Sequence, residues 1–170
     1  PSDIYYGTLA YSNGTITINN STFTNVSNSN NVLFGVPSLT PGNININHSR
    51  FIIDGSHEGL AYAATATHSV FINFDAGNYG LVAEGVFTNS VIANAFLGSS
   101  NGNGGIIKNS IIINTDLRAV QGTHTWSGGY NASYDLGQSS SDGNYSFTGG
   151  ITVNSIDDIL FTDYNNHDFH

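Results

Sequence analysis

Val86-Phe87-Thr88-Asn89-Ser90-Val91-Ile92-Ala93-Asn94 returns twenty residues later as Ile106-Ile107-Lys108-Asn109-Ser110-Ile111-Ile112-Ile113-Asn114. The pair at its centre recurs along the chain as Asn20-Ser21, His48-Ser49, His68-Ser69, Asn89-Ser90 and Asn109-Ser110, in steps of 28, 20, 21 and 20 residues. A repeat near twenty residues marks a solenoid, in which each coil buries its apolar face by stacking on the last. Two residues before each Asn or His stands Ile18, Ile46, Ala66, Phe87 or Ile107. Three residues after it stands Phe23, Phe51, Phe71, Ile92 or Ile112, and five after it Asn25, Ile53, Asn73, Asn94 or Asn114.

The local texture is strand. Thr15-Ile16-Thr17-Ile18-Asn19 and Asn43-Ile44-Asn45-Ile46-Asn47 alternate polar and apolar with period two, and Ile111-Ile112-Ile113 is β-branched. Ser99-Ser100-Asn101-Gly102-Asn103-Gly104-Gly105 reads as turn. Only Gly59 to Thr67, with its small residues, is ambiguous between helix and strand. The expected fold is therefore all-β, with short strands pairing in parallel from coil to coil at about 4.8 Å per step. Phe23, Phe51 and Phe71 should form one file inside the coils. Asn25, Asn73, Asn94 and Asn114 should mark a turn as a structural ladder, each amide bonding to its own turn and to the amide above. The Asn/His-Ser pair is expected on the outer trace of a strand.

An alternating apolar run, then Asn-Ser, then Phe or Ile, then Asn, resembles the right-handed parallel β-helix, or pectate-lyase-like, superfamily. In texture it is closest to bacterial surface or phage β-helix proteins. The segment from Tyr134-Asp135-Leu136 to Asn166-His167-Asp168-Phe169-His170 is similar to the closing stretch of many bacterial members. The resemblance implies a single right-handed β-helix domain over residues 1–170, about seven coils of about 20–22 residues. Regular coils are expected over about 15–131 and an irregular closing segment over 132–170, the whole being a segment of a longer protein. It implies fold more than activity, because the superfamily includes lyases, hydrolases, esterases, adhesins and phage tail proteins.

Charge excludes several partners. Lys and Arg number only three, namely Arg50, Lys108 and Arg118, against twelve acidic residues and a net charge of −9. Such a chain does not neutralise phosphates, so neither nucleic acid nor anionic lipid is an expected partner, and no membrane span is visible. Cys and Met are both absent, which removes disulfide and thiol chemistry. The eight extra residues of the first step fall between Asn28 and Pro41, where Val32, Leu33, Phe34 and Val36 are expected to cap the open first coil.

A lyase of this fold needs a cationic base and a cation, usually Ca²⁺, to neutralise a uronate carboxylate. Lys108 and Arg118 are the available bases, but they stand ten residues apart, about half a coil. Asn114-Thr115-Asp116 resembles the Asn-Thr-Asp of polygalacturonases, yet the only Asp-Asp is Asp157-Asp158 in the tail. Asp54, Asp75 and Asp116 form a loose column that offers oxygen ligands for Ca²⁺, or simply caps turns. The segment Gly122 to Tyr134 holds the only Trp, and His124, Trp126, Tyr130 and Tyr134 are the glycan-binding candidates, although the same bulky rings would close a last coil.

The expectation is a non-enzymatic structural or adhesive β-helix module, extracellular on a cell surface or virion, with no cofactor. A polysaccharide or glycan, and other subunits of a surface assembly, are the expected partners. The alternative is a polysaccharide lyase or hydrolase acting on an acidic polysaccharide through Lys108 or Arg118 with Ca²⁺. Metal binding through Asp54, Asp75 and Asp116 belongs only to that alternative.

Overall fold

β-Branched and alternating segments form strands, and every pairing among the described residues is parallel. A computed structural model of the protein describes residues 10–11, 14–26, 34–35, 44–53, 61–62, 64–72, 82–83, 85–99, 105–119, 124–137 and 143–159. One sheet stacks β2 (Ile16–Asn19), β5 (Ile44–Asn47), β8 (Ala64–Thr67), β11 (Val86–Thr88), β14 (Ile106–Lys108), β16 (His124–Gly129) and β18 (Gly143–Thr148) in that order. A second stacks β3 (Thr22–Val26), β6 (Arg50–Ile53), β9 (Val70–Ile72), β12 (Val91–Ala93), β15 (Ile111–Ala119), β17 (Ala132–Gly137) and β19 (Ile151–Thr152), with β13 (Phe96–Ser99) paired to the far half of β15. The third holds β1 (Ala10–Tyr11), β4 (Phe34–Gly35), β7 (Ala61–Tyr62) and β10 (Val82–Ala83). This all-β stack of parallel sheets is compatible with a β-helix or solenoid.

Three expectations change. Parallel pairing continues past residue 131, through Ser127 opposite Ser146 and Ala132 opposite Ile151, so the described residues 132–137 and 143–152 still belong to the stack. Gly59 to Thr67, as far as it is described, is strand rather than helix. Phe34 lies on β4, between β1 and β7, instead of on a capping loop; the other apolar residues of that segment, Val32, Leu33 and Val36, lie outside the described residues.

The interior is built from the two apolar columns. Ile18, Ile46, Ala66, Phe87 and Ile107 face Phe51, Phe71, Ile92 and Ile112 in one buried cluster, against which Phe23 packs. Phe23 stacks on Phe51 at 4.7 Å and Phe51 on Phe71 at 5.4 Å, both nearly parallel. Ala66 leaves room above its coil, and Phe87 meets Phe71 edge-on at 5.5 Å, the geometry that aromatic quadrupoles favour.

Between the first two sheets the chain turns through a two-residue corner, and the corner is the Asn/His-Ser pair. The pair is therefore not the outer trace of a strand. Its Asn or His takes a left-handed backbone (φ 48–50° at Asn20, His48, His68, Asn89 and Asn109) and sends its N–H to the next coil, as His48 does to Thr67 O at 3.1 Å. The following Ser carbonyl accepts from the next coil too, as Ser49 O does from Val70 N at 2.9 Å. The Ser N–H is left without a backbone partner there, and the hydroxyl of the next Ser accepts it. Ser21 N reaches Ser49 Oγ, Ser49 N reaches Ser69 Oγ, Ser69 N reaches Ser90 Oγ and Ser90 N reaches Ser110 Oγ, at 3.2–3.3 Å. Each hydroxyl in turn donates to the carbonyl two residues back, as Ser69 Oγ does to Thr67 O at 2.8 Å. Ser49, Ser69, Ser90 and Ser110 are buried, so an unmade bond at the corner would cost the desolvation of the amide.

In the next coil Asn131 replaces Ser. Its Oδ1 accepts Ser110 N at 3.0 Å and its Nδ2 donates to Ile107 O at 3.0 Å. That coil also carries Gly128 in the apolar column, opposite Ile107, with φ of +134° and no space for a Cβ, which would stand 1.8 Å from Ile107 O. Trp126, two residues earlier, turns inward instead and is fully buried. Its ring lies over Gly105, where an added Cβ would come within 2.0 Å of the indole.

Ser90→Ala should lower stability by about 1–3 kcal/mol, because Ser69 N loses its acceptor inside the fold, while Thr88 O keeps only the bond from His68 N. Urea unfolding monitored by circular dichroism reads this, and an unchanged midpoint would remove the hydroxyl ladder from the account. Gly105→Ala should destabilise by at least about 1–3 kcal/mol through overpacking against Trp126. Trp126→Leu in the same chain should recover part of that loss.

Candidate functional site

The left-handed corner throws its first side chain away from both sheets. Asn20, His48, His68, Asn89 and Asn109 are exposed, and together they draw one column along the stack. Asn is a common residue in this backbone region, and His reaches it more readily than bulky residues do. The His48 and His68 rings stack in parallel at 4.9 Å, and Asn89 Nδ2 lies 3.4 Å from His68 Nε2. The strand residues just before the corner are tied together as well: Asn47 Nδ2 donates to Asn19 Oδ1 at 3.0 Å, and Thr67 Oγ1 to Asn47 Oδ1 at 2.6 Å. Beyond Thr67 come Thr88 and the exposed Lys108.

Tyr130 continues the corner column. It has φ of 58°, its N–H bonds to Thr148 O at 2.8 Å, and it is the most exposed large hydrophobic side chain described, at 74%. Its ring lies against Gly149, where a Cβ would sit 2.8 Å from Cε1. Sequence alignment on Asn missed this by one residue. Asn131 looks like the next Asn of the pair, but it occupies the Ser position, and Tyr130 occupies the Asn/His position. The available signal was the preceding Gly128-Gly129, which shifts the bulky residue to the corner.

A second corner follows β12 and interrupts β15. Asn94 and Asn114 are left-handed there, with φ of 50° and 43°, and Asn114 Nδ2 donates to Asn94 Oδ1 at 3.0 Å. Asp135, φ 46°, takes the same place in the next coil, because Ile113 is opposite Tyr134 and Thr115 opposite Leu136. Asn25 lies at a register shift between Thr24 and Val26 on β3, and Asn73 lies outside the described residues.

The remaining candidates disperse. Lys108 ends β14, whereas Arg118 lies on the far half of β15 opposite Gly98, with both corners between them. Asp116 is half-buried at a position paired with Phe96, and its backbone N–H bonds to Ala95 O at 2.9 Å; Asp54 and Asp75 lie outside the described residues. Among the described residues no three His, Asp or Glu side chains gather where they could hold a metal ion, and no helix is long and apolar enough to cross a membrane. Asp157-Asp158 sits in a single 3₁₀ turn, Ile156–Asp158, where Asp158 Oδ2 accepts Ser155 N at 3.2 Å and Asp157 N donates to Ser155 Oγ at 3.2 Å. That is a capping box, a local structural use of the carboxylate.

Of the aromatic candidates, Trp126 is corrected: its ring is wholly inside and offers no face to a sugar. His124 pairs with Gly143 at the start of β16, and Tyr134 is half-buried on β17 opposite Ile113. Of the three candidates whose side chains are described, Trp126, Tyr130 and Tyr134, Tyr130 alone stands out from the surface. No family model, curated protein or solved structure matches this chain.

If backbone handedness sets the corner column, Asn109→Gly should leave stability near that of the parent, while Asn109→Val should cost about 1–2 kcal/mol. Thermal and urea unfolding of the two variants separate backbone strain from loss of the amide, since both lose the amide.

Proposed function

We propose that this chain is a non-enzymatic structural or adhesive module of the right-handed parallel β-helix type, pectate-lyase-like, with about seven coils of about 20–22 residues. It acts on the exterior of a cell or virion, where it contacts glycans and other subunits of a surface assembly. One observation carries the reading: the outward polar side chains bond to one another along the stack instead of converging on a point. Asn19–Asn47–Thr67, His68–Asn89 and Asn94–Asn114 are rows, and rows suit a rod that presents a repeating surface. A chain free of Cys and Met has little to lose in an oxidising exterior. The alternative, a polysaccharide lyase or hydrolase acting through Lys108 or Arg118, needs these groups to share a site, and two corners stand between them.

Incubating the chain with polygalacturonate and alginate, with and without Ca²⁺, decides between the readings. Neither ultraviolet-absorbing unsaturated ends nor new reducing ends should form. Product that disappears in Lys108→Ala would replace the adhesive module with a lyase.

A further inference from the structure

We propose that the corner column His48–His68–Asn89–Asn109–Tyr130 is a binding track for one extended chain of an uncharged polysaccharide, lying along the stack axis. The inference rests on glycan contact as read above, and it adds where contact is made and with which class of glycan.

The first ground is presentation. The left-handed backbone holds these side chains clear of both sheets at every coil, and all are exposed. The Tyr130 ring lies against Gly149 and remains 74% exposed, so an aromatic surface is already held in place before a ligand arrives. The His48–His68 stack and the contact of His68 with Asn89 order the other end in the same way.

The second ground is chemistry. A pyranose has an apolar face of C–H groups and a rim of hydroxyls. The exposed ring of Tyr130 matches the former, and the imidazole nitrogens of His48 and His68, whose faces are stacked on each other, match the latter together with the amides of Asn89 and Asn109, each with donors and an acceptor. Trp126, the residue most expected to fill this role, is inside, and the column supplies its substitute.

The third ground is spacing. The stacked rings of His48 and His68, on adjacent coils, are 4.9 Å apart, close to the advance of one hexose in an extended β-linked chain, so neighbouring sugars meet neighbouring coils in step. Charge then selects the class. The chain carries a net −9, against which the described cations beside the column are Lys108, one residue before Asn109, and Arg50, two residues after His48, so a polyanion would approach against the field of the whole molecule. A neutral glycan does not.

The test is titration calorimetry of the full chain with β-1,4-linked hexasaccharides of glucose, xylose, mannose and N-acetylglucosamine, and with an oligogalacturonate, at low and high salt. At least one neutral hexasaccharide should bind, with an affinity that salt leaves unchanged. Tyr130→Ala should weaken it by about tenfold or more, as truncation of an aromatic anchor does. His48→Gly/His68→Gly, which keeps the left-handed backbone available, should also weaken it, and Thr24→Ala, on the second sheet, should not. Circular dichroism of each variant checks that the stack is intact. Neutral-glycan binding that survives both variants would place the site elsewhere and leave the adhesive reading standing. A preference for oligogalacturonate abolished by salt would overturn the uncharged class. Binding to none of these would remove both the track and glycan contact altogether.

Discussion

A buried serine hydroxyl sits at the turn of four successive coils, and the rest of the stack is arranged around it. A left-handed residue lets the chain bend within two positions, but it leaves the next amide facing the interior with no carbonyl opposite. The hydroxyl of the Ser in the following coil accepts that amide while donating to a carbonyl of its own strand. The two bonds lock one coil to the next at the place where the β-ladder is interrupted. Because an unpartnered buried amide is costly, the position admits few residues. Asn131, with its acceptor on the Ser110 amide and its donor on Ile107 O, and Gly150 in the coil after it are the described exceptions.

With the corners fixed, the two apolar columns face each other across a narrow interior, and volume must be conserved from coil to coil. Phenylalanines stack where the opposite column permits, and small residues answer large ones. Ala66 is followed by the edge-on Phe87, Gly105 admits the ring of Trp126, and Gly128 lets its backbone close on Ile107 O. Interiors of this density tolerate such exchanges only when they compensate locally. The same logic turns Trp126 inward and leaves Tyr130 at the surface, so the chemistry of the outside depends on how the inside is filled.

Much of this stack could be read from spacing alone. Ile107, Ile112 and their counterparts announce themselves as interior by recurring at fixed distance from an Asn-Ser pair, and parallel pairing follows from a twenty-residue period. What spacing did not disclose was the step of 19 residues between Ser133 and Thr152. There Gly149-Gly150 stands in place of the pair, so the coil looks irregular although its strands still pair. Phe34 was misread for a related reason. An apolar run between Asn28 and Pro41 looks like an insertion, yet β4 is a rung of the third sheet. Of the candidate site, Tyr130 was visible as an aromatic among hydrogen-bonding residues, but its column was hidden by the exchange of Asn for Ser one residue later.

The sequence by itself determined strand type, the parallel order and the inward columns, since these depend on local residue preferences repeated at one period. Tertiary structure alone decided that the repeated pair is a corner, that Trp126 faces in and that Tyr130 faces out. The physical reason is register. Side chains alternate between faces with every residue, so a shift of one position against the neighbouring coil exchanges core for surface. Only the hydrogen bonds between coils, and the space left above Gly105, settle which position is taken.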